Sequence, residues 1–153
     1  MEKWPNELSD ILEKEESVLS EILNESRQKT EALRTADIPS LDGIVNREQA
    51  LALQLQALES KREKFCKEHG LAGLTLSEII TRAGDDCRET LSGRLKVMSG
   101  LESELKRKND LNSQLTQSRL TFYNFFFRNE KVYENDGRAK KSASGNALID
   151  QRV

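Results

Sequence analysis

Apolar residues recur along this chain in alternating steps of three and four, the spacing that lines one stripe of a helix against a neighbour. The first run passes through Leu8, Leu12, Glu15, Leu19, Ile22, Ser26, Lys29 and Leu33, with Ile11, Val18 and Leu23 widening the stripe. Pro5 suits a first helical position, where its missing N–H is no loss, and Trp4 can staple that start. A helix over about residues 5–36 is predicted. The run breaks at Ala36-Asp37-Ile38-Pro39, because the residue before a proline is driven out of the α region and Pro39 suits the start of a turn. A second seam follows through Leu41, Ile44, Glu48, Leu51, Leu55, Leu58, Arg62 and Phe65. Ser40 is expected to cap this second helix, about 40–68, and Gly70 to end it.

Thr75-Leu76-Ser77-Glu78 carries the T-x-x-E pattern of a capping box. It announces a short helix at about 76–83, with Leu76, Ile79 and Ile80 available to plug the bundle. Residues 85 to about 131 contain no proline and keep a seam through Leu91, Met98, Leu101, Leu105, Leu115, Phe122 and Phe126. Such a helix is about 70 Å long. Gly93 and Gly100, each costing about 1 kcal/mol against Ala in a helix, share a face, which close approach of another helix would explain. After Tyr133 small and polar residues dominate, too little to offset the entropy of ordering. The expected architecture is therefore all-α: an elongated antiparallel helical bundle or coiled coil of three long helices plus one short one over residues 1–133, with a flexible tail over 134–153. Ala147-Leu148-Ile149 is a small apolar island in that tail.

Charge and composition narrow the function. A net charge of -2 with both signs interspersed offers no basic face for a phosphate backbone, so nucleic acid is not an expected partner. No stretch approaches the length of apolar chain that a membrane span needs, and the first residues have no apolar signal core, which disfavours secretion and stable membrane insertion. Cys66 and Cys87 lack a CxxC pair or a histidine set, His69 being the sole histidine, so reduced thiols in a cytosol fit and no metal site is expected. A nucleophile beside a base, a carboxylate pair in a cleft and a phosphate loop are all missing from the pattern. Neither an enzyme nor a cofactor is expected.

One stretch stands apart. Leu120-Thr121-Phe122-Tyr123-Asn124-Phe125-Phe126-Phe127 holds five of the eight aromatic residues. Phe122, Phe125 and Phe126 fall on one arc of about 100°, enough for an ordinary core stripe. Thr116, Leu120, Tyr123 and Phe127 form a second row beyond the arc that a bundle helix normally buries, and an apolar row left in water marks an interaction surface. Lys108, Asn112 and Arg119 at seam positions weaken the bundle beside it, so that the helix end can detach and dock in a partner's groove.

The residues around these features resemble the FlgN family of flagellar type III export chaperones over about residues 8 to 137. The resemblance is carried by Thr30-Glu31-Ala32-Leu33, Asp37-Ile38-Pro39-Ser40-Leu41, Glu48-Gln49-Ala50-Leu51, Leu55-Gln56-Ala57-Leu58-Glu59 and Arg62. Asn109 through Leu115, the aromatic run and Tyr133-Glu134-Asn135-Asp136-Gly137 complete it. Tyr123 and the triple Phe125 to Phe127 depart from the family pattern in being more aromatic. The resemblance implies a bacterial cytoplasmic chaperone that keeps hook-filament junction proteins unassembled and export-competent without a nucleotide. It also implies handover to components of the flagellar export apparatus. Candidate partner-binding residues are then Thr116, Leu120, Tyr123, Phe125, Phe126, Phe127, Val132 and Tyr133. A structural coiled-coil protein, whose aromatic row forms a homo-oligomer interface, is the alternative.

Overall fold

In the computed structural model, which describes residues 3–127, the described chain forms helices and no strand: α1 Trp4–Thr35, α2 Ile38–Glu68, α3 Leu76–Arg82 and α4 Asp85–Phe127. The four helices make a bundle, as the seams predict. All eight positions of the first seam are buried, including the polar Glu15, Ser26 and Lys29. The sequence separation of α1–α2 contacts shrinks from 47 residues at Glu15–Arg62 to 19 at Lys29–Glu48, so these helices run antiparallel. Contacts between α1 and α4 keep a nearly constant separation, 81 residues at Asn6–Cys87 and 86 at Ser26–Asn112, so that pair is parallel.

Both long helices of the α1–α2 hairpin end in a left-handed residue. At α2, Gly70 has φ 68°, and the Leu71 N–H reaches back to the Cys66 carbonyl at 2.8 Å. That is a Schellman turn, with Leu71 and Cys66 both buried in the same core. At α1 the corresponding residue is Ala36, φ 53°, and the Asp37 N–H bonds the Ala32 carbonyl at 2.9 Å. Ser40 does not cap α2. Asp37 does: its carboxylate accepts from the Ser40 backbone N–H at 3.2 Å and from the Ser40 hydroxyl at 2.6 Å. Pro39 therefore sits inside the first turn, where its lack of an N–H costs nothing. The Thr75 capping box forms in both directions, at 3.2 and 3.0 Å.

By contact the chain divides into two compact units, Met1–Leu23 with Ala50–Leu105 and Asn24–Gln49 with Lys106–Val153. The first is apolar: Trp4, Leu8, Leu12, Leu19, Cys66, Leu71, Leu91 and Met98 pack with Ile79 and Ile80 of α3. Glu15 lies among them at 1% exposure. Arg62 donates to one of its carboxylate oxygens at 2.7 Å, while the other has no hydrogen-bond partner among the described residues. Burial is the larger influence and raises its pKa above the ordinary 4.5, against the lowering effect of Arg62. α4 is continuous through Gly93 and Gly100. Among the described residues no helix approaches either glycine: none of their atoms lies within 4 Å of where a Cβ would sit.

The second unit is built differently. Among its described residues the buried apolar ones are Ala32, Leu33 and Ile44, and Ser26, Lys29, Thr30, Glu48 and Asn112 are buried as well. Lys29 donates to Glu48 at 3.3 Å. Asn112, 2% exposed, donates from Nδ2 to the Ser26 carbonyl at 3.0 Å and to the Ser26 hydroxyl at 3.2 Å, and its Oδ1 accepts from the Thr30 hydroxyl at 2.6 Å. A buried asparagine at a seam position trades stability for a fixed register between helices.

Candidate protein-binding site

Arg119 marks where α1 stops supporting α4. Its Nε donates to the Leu33 carbonyl at 3.1 Å and its Nη2 to the Arg34 carbonyl, two carbonyls that the end of α1 leaves without an intrahelical partner. α1 ends at Thr35 and α2 begins at Ile38, whereas α4 continues to Phe127. With a contact offset of 82 to 86 residues in this unit, the level of Thr35 on α4 lies between Gln117 and Thr121. Beyond it neither helix of the hairpin has residues to cover α4.

The exposed aromatics follow from that geometry. Phe122 is 59%, Tyr123 54% and Phe125 80% exposed. The expectation that Phe122 and Phe125 enter the core is thus overturned, because among the described residues no helix stands opposite the seam at that level. Placing residues at 100° intervals, Thr116 and Leu120 fall on the side of Asn109 and Asn112, which contact α1, and both are half-buried. Thr116 also bonds back to the Asn112 carbonyl at 2.8 Å. The row expected outside therefore begins inside, and Tyr123 continues it past the point of cover. The opposite side carries Gln114, Gln117, Ser118, Thr121, Phe122 and Phe125, which line an open groove.

Of the candidate residues, the structure brings Thr116, Leu120, Tyr123 and Phe125 onto one stretch of α4, although not onto one face. The side chains of Phe126 and Phe127, and Val132, Tyr133, the expected last turn to residue 131 and the expected tail all lie outside the described residues. Gln114, Gln117, Ser118 and Thr121 escaped the sequence reading. The signal that exposes them is a lack of charge: from Leu111 to Phe127 the sole charged residue is Arg119, and it is engaged with α1.

What this surface can do is adhere. Large aromatic side chains in water are stabilised by removal from it, at about 1.5–3 kcal/mol each when fully buried. Among the described residues no group of three or more His, Cys, Asp or Glu side chains could hold a metal ion, and no helix is long and apolar enough to cross a membrane. No curated protein and no solved structure matches the chain. The family model described as FlgN protein matches residues 1–141, a span that includes every helix and the whole aromatic surface. The chain therefore belongs to the FlgN family, the flagellar export chaperone family.

Proposed function

We propose that this chain is a cytoplasmic chaperone that holds hook-filament junction proteins through the C-terminal part of α4, keeping them unassembled until export. The exposure of Phe122, Tyr123 and Phe125 beyond the ends of α1 and α2 carries this reading. A chaperone must bind an aggregation-prone segment and release it without chemistry, and an open apolar surface at the end of a unit with a largely polar interior suits both needs. Phe126, Phe127 and Val132 belong to the same proposed surface, and Tyr133 with the tail is the proposed contact for handover to the export apparatus. Thr116 and Leu120 support the site from its inner side.

The test is calorimetric titration of purified hook-filament junction proteins of the same bacterium into the chain and into Phe122→Ala/Phe125→Ala. Both side chains are exposed, so helicity is retained. Loss of two buried aromatics is expected to weaken binding by about 100-fold or more. Equal affinity in the variant would overturn the proposed site. Light scattering on the same samples separates this role from a homo-oligomer interface, in which the variant would dissociate a dimer instead.

A further inference from the structure

We infer that the solvent face of α4 marked by Gln114, Gln117, Ser118, Thr121 and Phe125 receives an uncharged helical face of the exported client, making the complex insensitive to salt. This rests on the chaperone reading above and specifies the partner's chemistry. The row 114, 118, 121, 125 advances in steps of four, three and four, so it forms a straight ridge along one side of a helix. Ridges of that kind pack against the grooves of a second helix. A partner helix laid along it meets amides, hydroxyls and an aromatic ring that is 80% exposed.

Charge decides which partner fits. Between Gln114 and Phe125 the ridge carries no ionisable side chain: Asp110 and Arg107 lie a turn or more before it, and Arg119 is turned toward α1 and engaged by two carbonyls. A charged residue of the partner set against the middle of this ridge would lose solvation with no counter-charge opposite it, which selects against it. Apolar residues against Phe125, and Asn, Gln, Ser or Thr against the amides and hydroxyls, pay no such cost. Electrostatic steering is likewise absent from such an interface, so ionic strength has little to screen.

The test uses the full-length chain, a purified hook-filament junction protein and three substitutions at exposed Ser118: S118E, S118K and S118Q. All three side chains are better helix formers than Ser, so folding is not at risk. Expected are losses of about tenfold or more for both Glu and Lys, a change within about threefold for Gln, and a wild-type Kd moving by less than about twofold from roughly 50 to 300 mM NaCl. Strengthening by Glu or by Lys alone would show a charged partner and overturn the inference, as would a steep salt dependence. Strengthening by both would mean that residues 128–153 of this chain cover the face. Unchanged affinity in all variants would place the client elsewhere. Sedimentation of the chain alone covers the remaining occupant, because a dimer that only Glu and Lys dissociate would assign the face to a second copy. Failure of wild type to bind at all would instead remove the chaperone reading itself.

Discussion

Replacing Asn112 tests how the second unit is held together. Its side-chain amide makes three hydrogen bonds to α1, two donated to Ser26 and one accepted from Thr30, which uses both of its protons. At about 1 kcal/mol net for each bond, Asn112→Ala is expected to cost about 2–3 kcal/mol. The sum is not fully realised, since the Thr30 hydroxyl can turn to the Ser26 carbonyl, 3.1 Å away. Asn112→Leu loses the same bonds but regains apolar burial at a position that is 2% exposed, so a cost of about 1 kcal/mol or less is expected. Ser26→Ala/Thr30→Val/Asn112→Leu, which removes the three polar side chains together, should be at least as stable as Asn112→Leu alone. Urea denaturation followed by circular dichroism reads the global change, and hydrogen exchange across residues 24–35 and 106–125 reads opening of this unit alone. The reasoning fails if Asn112→Ala costs less than about 0.5 kcal/mol, or if Leu is worse than Ala.

Further outcomes follow from other parts of the structure. Gly93→Ala and Gly100→Ala, with open space at each Cβ, should each stabilise α4 by about 0.5–1 kcal/mol, measured by thermal denaturation; destabilisation would reveal an unseen close contact. Ala36→Gly should stabilise the α1–α2 turn by about 0.5–1 kcal/mol, since a left-handed alanine costs about 1–2 kcal/mol, and an unchanged midpoint would count against strain there. Glu15 binds its proton more tightly folded than unfolded, so its contribution is fully present below the ordinary 4.5 and is lost as pH rises through the raised folded value. The stability advantage of the parent chain over Glu15→Gln should therefore shrink from about pH 4.5 toward neutrality. An advantage that grows with pH would mean that the Arg62 ion pair outweighs burial.

The seam of α1 was legible because each of its positions, from Leu8 to Leu33, faces a neighbouring helix along its whole length. Even Glu15, Ser26 and Lys29 read correctly, since heptad position rather than residue type put them inside. The α1–α2 turn was misread in detail. Pro39 suggested a turn to its C-terminal side, but Asp37 accepts the hydrogen bonds that a cap must provide, and Ala36 takes the left-handed place usually held by glycine. Gly93 and Gly100 suggested a close neighbour that is absent, which leaves their place in α4 without a packing explanation.

The aromatic end was found by composition, and Tyr123 is exposed as expected, but Phe122 and Phe125, expected in the core, are exposed as well. Periodicity along α4 identifies which residues align with Leu91 and Met98; it says nothing of whether a helix stands opposite them. That depends on where α1 ends, a long-range fact fixed by the α1–α4 offset and by the Arg119 contact to Leu33 and Arg34. Once that level is known, Phe122 and Phe125 must be exposed, and the uncharged residues on their side become part of the surface.

Hydrogen exchange of the chain with and without a bound hook-filament junction protein, resolved along α4, reads the location of the client directly. Protection concentrated in residues 111–127, with unit-one amides such as those of Leu12 and Leu91 unchanged, is the expected result. Protection confined to α1, α2 or α3, with 111–127 exchanging as fast as in the free chain, would show that the aromatic end of α4 is not where the client is held.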